Sequence, residues 1–336
     1  MQNISESGRV SYVAADPLKK IGWFKKIIFW ILVLVDAINV LVLSIPNWIT
    51  SVYHCVISPP RKCIKGQTVL ITGGGNGIGK ALAYKLAEKG CNIAIADIEW
   101  NAAQATAKDL QAKNVIAKAY HVDVADVDQI KELKKNIETD IAPVDILINN
   151  AALIPLLSLR EGSEMEIERI VRVNITSHFY MTRAFLPGMI LRKLGHIVGI
   201  SSITAVHPMP GAVIYSATKF AVNGFIQALY QELRQEGNDF INLTSVLPYF
   251  VSTRKDLTEA VNLRFPMMSA EEVAEVTVDA MLRNEQIVSV PRYNLLLSAF
   301  LNTLSLPNQC LIRDYVFKER EARQVFYKEK ESSNAD

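Results

Sequence analysis

Cysteine and histidine are scarce in this sequence, and the cysteines lie far apart. The chain has 4 cysteines and 5 histidines in 336 residues. The cysteines show neither Cys-x-x-Cys spacing nor a nearby histidine pair, so the ligand pattern that zinc sites require is missing. We therefore predict no metal site. Scattered cysteines, one of them (Cys91) inside an apolar strand, also favour a reducing compartment.

An excess of charge of one sign is also missing. The 36 Lys and Arg residues nearly balance the 34 Asp and Glu residues, which leaves a net charge of +2. A nucleic-acid-binding surface needs a basic excess, so we predict no nucleic-acid partner. Hydrophobic residues make up 50% of the chain, which is enough for a sizeable core in one large domain or two modest ones.

One long apolar run lies near the amino terminus. Residues Ile27 to Ile45 are almost wholly apolar, with Ser44 and the more costly Asp36 and Asn39 as the exceptions. The run is long enough to span a bilayer, although the two polar side chains are costly at its centre. A signal peptide is disfavoured because a long flank precedes the run and no small-residue cleavage pattern follows it. A buried core helix is the alternative to a membrane anchor.

Basic residues flank this run on both sides. They are Lys19, Lys20, Lys25 and Lys26 before it, and Arg61, Lys62 and Lys65 after it. Because cationic flanks favour the cytoplasmic side, this arrangement suits a segment that enters and returns on one side. Pro46-Asn47 can form the turn of such a hairpin. We predict a membrane anchor within residues 1–65 and favour a hairpin or interfacial arrangement over a single span.

From Gly66 onward the sequence alternates strands and helices, which predicts an α/β fold with a doubly wound parallel sheet, the Rossmann fold. The first strand, Thr68–Thr72, runs into a glycine-rich turn and then a helix from Lys80. This order suits a dinucleotide, because the backbone can approach the pyrophosphate at the helix N-terminus. The turn consists of Gly73, Gly74, Gly75, Asn76, Gly77, Ile78 and Gly79.

The next strand, Asn92–Ala96, ends in Asp97. A carboxylate at this place accepts hydrogen bonds from both ribose hydroxyls of NAD and repels the 2′-phosphate of NADP. Neither Asn76 nor Ile98 supplies a cation that would counter the repulsion, so we predict NAD as the cofactor. The alternative is that Asp97 caps the helix that begins near Asn101.

Two further strand ends are predicted at the same edge of the sheet. The strand Val115–Val122 ends at Asp123-Val124, in a position to meet the adenine. The strand Val144–Ile148 is followed by Asn149-Asn150-Ala151-Ala152, and these small residues allow close approach of a cofactor. The alternative for the second segment is a plain β-turn.

An acid–base pair lies on a later helix. Tyr215 and Lys219 are four residues apart, so both side chains project from one helix face. An ammonium beside a phenol favours the phenolate and lowers the pKa of the tyrosine. Ser202, at the end of the strand that precedes this helix, can hydrogen-bond the same substrate oxygen. The trio suits proton exchange with an alcohol or carbonyl; a chance, solvated Tyr–Lys pair is the alternative.

Taken together, the motifs resemble those of the short-chain dehydrogenase/reductase family over roughly residues 66 to 290. They appear in the family's order: Thr72-Gly73-x-x-x-Gly77-x-Gly79, Asn149-Asn150-Ala151, Asn174, Ser202, Tyr215-x-x-x-Lys219 and Pro248-x-x-Val251-x-Thr253. The thirteen-residue gap from Ser202 to Tyr215 also matches. Two residues depart from the pattern, because Ala152 and Tyr249 stand where the family commonly has glycine.

The resemblance implies a role for each matching residue. Tyr215 would be the general acid–base, Lys219 would lower its pKa and bind the nicotinamide ribose, and Ser202 would hold the substrate oxygen. Asn174 would hold a water molecule that connects Lys219 to solvent. The implied cofactor-binding residues are Gly73, Asn76, Gly77, Ile78, Gly79, Asp97, Asp123, Val124, Asn150, Ala151, Tyr215, Lys219, Pro248, Val251 and Thr253. Members of the family commonly form homodimers through the helices that begin here near Glu166 and Tyr215.

The carboxyl-terminal third carries two further apolar segments. Arg254 to Met268 suits an apolar cover over the substrate, and Leu295 to Leu306 is too short to span a membrane. The latter can be core, a dimer contact or an interfacial element, and the last dozen residues are predicted to be disordered. His207 is interpreted as a solvated loop histidine, with a place at the substrate entrance as the alternative. The predicted domains are 1–65, 66–292 and 293–336.

The amino-terminal run and the Arg264-Phe265-Pro266 stretch further resemble the branch of epidermal retinol dehydrogenases and 17β-hydroxysteroid dehydrogenases of types 11 and 13. That branch implies the endoplasmic reticulum membrane or lipid droplets, with the catalytic domain facing the cytoplasm. We predict NAD-linked interconversion of a lipophilic alcohol, a retinoid, hydroxysteroid or other lipid alcohol, and its aldehyde or ketone. The alternatives are a lipid-droplet or membrane scaffold that retains the fold, and an NADP-linked carbonyl reductase.

Overall fold

The computed structural model describes residues 22–155, 159–160, 162–253, 263 and 265–317. The chain divides into two compact units, Met1–Pro59 and Pro60–Asp336. The predicted disorder of the last dozen residues and most of the predicted substrate cover, 254–262 and 264, lie outside the described residues.

The first unit contains one long helix, α1, at Trp23–Val56. Its segment Trp23–Thr50 has a mean hydropathy of 2.5 and no buried side chains, so by length and composition it is able to cross a membrane. Pro46 lies inside the helix, and the turn predicted at Pro46-Asn47 is not formed. A proline removes a single backbone donor from the helix, and the Thr50 hydroxyl bonds the Pro46 carbonyl at 2.8 Å within the continuing turn.

The second unit is built on a seven-stranded parallel sheet in the order β3-β2-β1-β4-β5-β6-β7. The strands are β1 Thr68–Thr72, β2 Asn92–Asp97, β3 Ala117–His121, β4 Ile146–Asn149, β5 Gly195–Ile200, β6 Ile241–Pro248 and β7 Ile287–Val290. The predicted doubly wound α/β fold is therefore confirmed. The strand order reverses between β1 and β4, and in such sheets ligands bind at the carboxyl ends of the strands that flank the reversal.

Helices cover both faces of the sheet. They are α2 Gly77–Glu88, α3 Trp100–Gln111, α4 Val127–Asp140, α5 Glu164–Val171, α6 Ser177–Arg192, α7 Val213–Gln235, α8 Ala270–Leu282, α9 Tyr293–Leu301 and α10 Leu306–Phe317. Alternate residues of β1 point to opposite faces. Val69 and Ile71 pack with α2, α3 and α8, whereas Leu70 packs with α4, α6 and α7. Both faces of the central strands are thus buried, as the apolar strand sequences require.

Candidate active site

The glycine turn after β1 is a backbone cradle at the N-terminus of α2. A Cβ atom added to Gly79 would lie 2.1 Å from the carbonyl oxygen of Gly73, so no side chain fits at position 79. Gly77 has a φ of +53°, which L side chains rarely adopt, and it packs against Thr253. The turn therefore presents main-chain atoms and a helix N-terminus, the surroundings that a dinucleotide pyrophosphate needs.

The turn after β4 is tied to this glycine turn by a small hydrogen-bond network. The side-chain amide of Asn150 donates to the carbonyl oxygens of Thr72 and Gly73 at 2.9 and 3.0 Å. In return, the hydroxyl of Thr72 accepts the backbone N–H groups of Asn150 and Ala151 at 2.9 and 3.1 Å. The predicted cofactor-binding residues at the ends of β1 and β4 are thus held together as one rigid edge.

Asp97 is buried at the end of β2 and faces the glycine turn. Its Oδ2 accepts the N–H of Gly75 at 2.8 Å, and its Oδ1 accepts the N–H of Glu99 at 2.9 Å. The residue in the N-cap position of α3 is Glu99, so the alternative in which Asp97 caps this helix is wrong. The carboxylate instead lies where the ribose next to the pyrophosphate is expected.

Asp123 and Val124 follow β3 beside the same edge. Asp123 forms an ion pair with Arg169, Oδ2 to Nη1 at 2.8 Å, and its Oδ1 accepts the N–H of Ala125 at 2.9 Å. Val124 is buried in a small cluster that Ala151 contacts. The segments that follow β3 and β4 therefore contact each other through this cluster, which is the arrangement expected at an adenine pocket.

Ser202, Tyr215 and Lys219 are brought together at the end of β5. Ser202 is buried, accepts the N–H of Thr204 at 3.1 Å and hydrogen-bonds the phenol of Tyr215. The Lys219 ammonium donates to the carbonyl oxygen of Ile200 at 2.9 Å and lies 5.6 Å from the centre of the Tyr215 ring. The three predicted catalytic groups thus share one site.

The electrostatics of this site differ from the expectation. Burial raises the pKa of Tyr215 to about 12, although the hydrogen bond from Ser202 opposes the rise. Burial also lowers the pKa of Lys219 to about 7. Desolvation disfavours the charged form of each group. The expectation that Lys219 lowers the pKa of Tyr215 toward neutrality is therefore not met, because burial disfavours the charged form of both groups.

Asn174 lies in a π-helical turn, Arg172–Thr176, between α5 and α6. Its side chain exchanges two hydrogen bonds with the backbone of Leu153, at 2.7 and 2.8 Å, and donates to the hydroxyl of Thr218 at 3.3 Å. The sequence pattern predicts one long helix here, and the π turn interrupts it. Asn174 thereby joins the loop after β4 to the residue that precedes Lys219.

The segment after β6 leads from Pro248 back to the glycine turn. Val251 pairs with Met268 in an isolated parallel bridge, and the side chain of Thr253 lies 3.2 Å from where a Cβ of Gly77 would stand. The segment therefore runs from the end of β6 to the glycine turn. The three residues predicted to bind cofactor lie along it: Pro248, Val251 and Thr253.

An apolar cavity of about 610 Å³ adjoins the catalytic residues. Its apolar lining residues include Ile203, Tyr249, Phe250, Phe265, Met267, Met268, Leu297, Leu301, Leu306, Ile312 and Val316. Ile203 and Thr204, which line the cavity, follow Ser202 directly in the chain, so the cavity reaches the loop that begins at Ser202. The volume lies within the range of small-molecule sites.

The carboxyl-terminal helices α9 and α10 build one wall of this cavity. Leu301 of α9 is buried, and Ile312 and Val316 of α10 also line it. The sequence leaves Leu295 to Leu306 as core, a dimer contact or an interfacial element that opens the pocket toward lipid, and the structure places it at the pocket. The sequence of this segment has no amphipathic pattern clear enough to distinguish these alternatives.

His207 also lines the cavity, so the interpretation as a solvated loop histidine is wrong. The Ser298 hydroxyl donates to the carbonyl of Asn294 at 2.6 Å and therefore accepts a hydrogen bond from Nε2 of His207 at 2.7 Å. Burial lowers the pKa of His207. This contact joins the loop after Ser202 to α9.

The sequence profile of the short chain dehydrogenase family matches residues 67–262, more than half of the chain. The chain belongs to this family. Human 17-beta-hydroxysteroid dehydrogenase 13 is 30% identical over 261 residues, which cover 78% of this chain and 87% of the relative. Mouse estradiol 17-beta-dehydrogenase 11 is 32% identical over 258 residues, with 77% and 86% covered. The family and the branch indicated by the motifs are thus confirmed.

Solved structures show the same fold. A short chain dehydrogenase/reductase from Burkholderia phymatum in complex with NAD has a TM-score of 0.66 at 24% identity, covering 72% of this chain and 95% of its own. A metagenomic short-chain oxidoreductase in complex with NADP has a TM-score of 0.58 at 23% identity, covering 68% and 96%. As a member of the short chain dehydrogenase family with hydroxysteroid dehydrogenase relatives, the protein is an oxidoreductase that acts on CH–OH donors.

Tyr249, which departs from the glycine common in the family, is a cavity residue. Its N–H donates to the carbonyl of Val290 at 2.8 Å, and its hydroxyl is buried without a partner among the described residues. Burial raises the pKa of Tyr249 to about 12. The tyrosine thus narrows the cavity where a glycine would leave it open.

Proposed function

We propose that this protein is an NAD-dependent oxidoreductase that interconverts a lipophilic alcohol and its aldehyde or ketone. The observation that carries the proposal is the convergence of Ser202, Tyr215 and Lys219 beside an apolar cavity of about 610 Å³. Proton exchange at an alcohol oxygen and an apolar space for the rest of the substrate are the two requirements of this reaction. Retinoid, hydroxysteroid and other lipid alcohols are the candidate substrates.

Each of the three groups has a distinct task in the proposed reaction. Tyr215 takes the hydroxyl proton of the alcohol during oxidation and returns it during reduction. Ser202, already hydrogen-bonded to the phenol, holds the same substrate oxygen as charge develops on it. Lys219 in its protonated form lowers the pKa of Tyr215 by placing a positive charge nearby. Bound NAD supplies the hydride chemistry.

The cofactor preference rests on Asp97. Its buried carboxylate is held in place by two backbone N–H groups, those of Gly75 and Glu99. A fixed negative charge at the ribose accepts bonds from the hydroxyls of NAD and repels the phosphate of NADP. This favours NAD over the NADP-linked alternative.

Asn174, whose amide is engaged by Leu153 and Thr218, is proposed to order the water route from Lys219.

Membrane association is proposed from α1 and from the outer face of the carboxyl-terminal helices. The apolar segment Trp23–Thr50 has the length of a bilayer span. On α9, Leu296 and Phe300 are 78% and 61% exposed, and exposed apolar side chains of this size are typical of an interaction surface. We propose the endoplasmic reticulum membrane or lipid droplet as the location, with the catalytic domain facing the cytoplasm.

A homodimer is proposed through α6 and α7. Phe179 on α6 and Phe220 on α7 are both 45% exposed, and Phe179 stacks edge-to-face on Phe225 with ring centres 5.0 Å apart. These aromatic side chains give two neighbouring helices an apolar outer face. Size measurement of the purified protein in detergent tests this part of the proposal.

The deciding experiment is turnover of the full-length, membrane-bound protein with retinol, estradiol and long-chain alcohols, with NAD⁺ and NADP⁺ in parallel. Tyr215→Phe removes only the hydroxyl that exchanges the proton, so we expect turnover to fall by about 10³-fold or more with the protein still folded and membrane-bound. Tyr230→Phe, on the same helix but remote from the site, is the matched control and should retain turnover. If wild type is inactive with every alcohol yet binds NADH, the scaffold alternative gains support.

A further inference from the structure

A column of buried polar side chains runs from the π turn Arg172–Thr176 into α6. Asn174, His178 and Thr182 are spaced four residues apart and are 0, 1 and 4% exposed. His178 and Thr182 lie above one another on one face of α6, and Asn174 precedes them in the π turn. Asn174 reaches the hydroxyl of Thr218, which directly precedes Lys219. The column therefore begins beside the proposed catalytic lysine.

Two members of this column have polar atoms without partners. Nδ1 of His178 and Oγ1 of Thr182 are buried and form no hydrogen bond within the part of the chain that the structure describes. A buried polar atom without a partner costs about 1–3 kcal/mol, so such atoms are rare unless a water or a functional group occupies the site. The second member, His178, has no role in the reaction as proposed so far.

Lys219 can donate more hydrogen bonds through its ammonium than the one that it makes to Ile200 within the described part of the chain. Its ammonium has three donors, and one of them goes to the carbonyl of Ile200. Burial first, and the charge of Lys219 second, lower the pKa of His178 to about 3, so the imidazole stays neutral when the lysine is protonated. The titratable groups that interact with Lys219 are Tyr215, whose ring centre lies 5.6 Å from its nitrogen, and His178 on α6, whose pKa its charge lowers; among the described residues no carboxylate pairs with it.

We propose that neutral His178 is a positioning residue for Lys219. Its Nδ1 accepts a hydrogen bond from one buried water that in turn accepts from the lysine Nζ, and so stabilises the ammonium form that activates Tyr215. An acceptor that bonds only the charged form of a group favours that form, and the effect is strong in a dry interior. The inference rests on the proposed function, because it assigns His178 to the same acid–base site.

Three substitutions at this position separate a positioning role from a packing role. His178→Asn places an amide oxygen close to where Nδ1 stands and keeps the acceptor. His178→Gln moves the amide toward the position of Nε2, and His178→Leu removes the acceptor. Thr182→Val is the matched control, because it changes a buried hydroxyl one turn further along the same helix face and leaves Nδ1 in place.

The first measurement is the pH profile of kcat/KM from pH 5.5 to 9.5 with full-length protein in membranes. Loss of the acceptor lowers the pKa of Lys219, so the alkaline limb of the Leu and Gln profiles should move about one unit toward lower pH, with about tenfold lower kcat/KM at pH 8. At pH 6 the loss should be much smaller. The Asn variant and Thr182→Val should follow the wild-type profile.

The second measurement needs no turnover. The affinity for NADH, followed by energy transfer from protein tryptophan, should weaken with rising pH as Lys219 loses its proton, and this step should shift in the Leu and Gln variants by the same unit. If wild type turns over no alcohol, the proposed function fails while this titration still tests His178. Unshifted Leu and Gln profiles overturn the inference, as does an equal shift in Thr182→Val. If Leu does not fold, Gln against Asn decides.

Discussion

Replacement of Lys219 by methionine separates two effects of this buried amine: its cost to the stability of the fold and its contribution to turnover. Lys219 is 2% exposed, and its ammonium donates to one backbone carbonyl, that of Ile200. Methionine nearly matches the length of the side chain and carries no charge. We expect the variant Lys219→Met to lose turnover and yet to be more stable than wild type near neutral pH.

The magnitude follows from the change in pKa from 10.5 to about 7. Because the folded pKa is depressed, the unfolded chain binds more protons than the folded one between pH 7 and 10.5, so stability rises with pH in this window. Linkage gives a cost of burying the amine of about 5 kcal/mol at pH 6 and about 2 kcal/mol at pH 9. The variant also loses the hydrogen bond to Ile200, which reduces its stability advantage by ~1–3 kcal/mol at either pH. The stability advantage of the variant should therefore shrink by about 3 kcal/mol from pH 6 to pH 9.

The assay is thermal and urea unfolding of the full-length protein in detergent at pH 6, 7.5 and 9. Lys135→Met is the control, because it makes the same substitution at an exposed lysine. The variant and wild type should differ most at pH 6 and converge toward pH 9. A difference that is constant over this range would show that Lys219 titrates like a solvated lysine, and the account of a dry catalytic site would then be wrong.

Two other predictions concern the cofactor and the cavity. Asp97→Ser removes the carboxylate that repels the phosphate of NADP, so kcat/KM for NADP⁺ relative to NAD⁺ should rise by about tenfold or more, the worth of one interaction with a charged group; an unchanged ratio contradicts the role of Asp97. Ser298→Ala removes the acceptor for Nε2 of His207 and loosens α9, so KM for a lipophilic alcohol should rise about fivefold, the worth of one hydrogen bond, with kcat little changed. An unaltered KM would show that α9 holds the cavity wall without this contact.

The sheet and the cofactor edge could be predicted because local patterns determine them. The strand of apolar residues at Thr68–Thr72, the glycines after it and the carboxylate at Asp97 each follow from short-range rules of turn chemistry and strand burial. The helix α4 at Val127–Asp140 likewise begins at a sequence-visible cap, because the Asp126 side chain accepts the N–H groups of Asp128 and Gln129.

The features that could not be predicted depend on tertiary contacts. The π turn around Asn174 adds one residue to a helix without leaving a mark in the apolar pattern. The contact of α9 with His207 is made by one serine hydroxyl, that of Ser298. The apolar pattern of Leu295 to Leu306 does not distinguish a cavity wall from an exposed face, so this contact could not be predicted. Pro46 was expected to end a helix, yet a long helix tolerates the loss of a single donor.

The pKa values of the acid–base pair show why the site needs more than the Tyr–Lys motif. Moving a proton from Tyr215, with a pKa of about 12, to Lys219, with a pKa of about 7, costs about 7 kcal/mol. The lysine nitrogen lies 5.6 Å from the centre of the Tyr215 ring; with this distance taken as the separation, attraction between the resulting charges offsets about 3 kcal/mol at an effective dielectric constant of 20. About 4 kcal/mol must therefore come from groups other than this pair. The substrate oxygen, the positive charge of an oxidised nicotinamide and a further acceptor for Lys219 are the available sources, and His178 is the one that this chain itself holds in place.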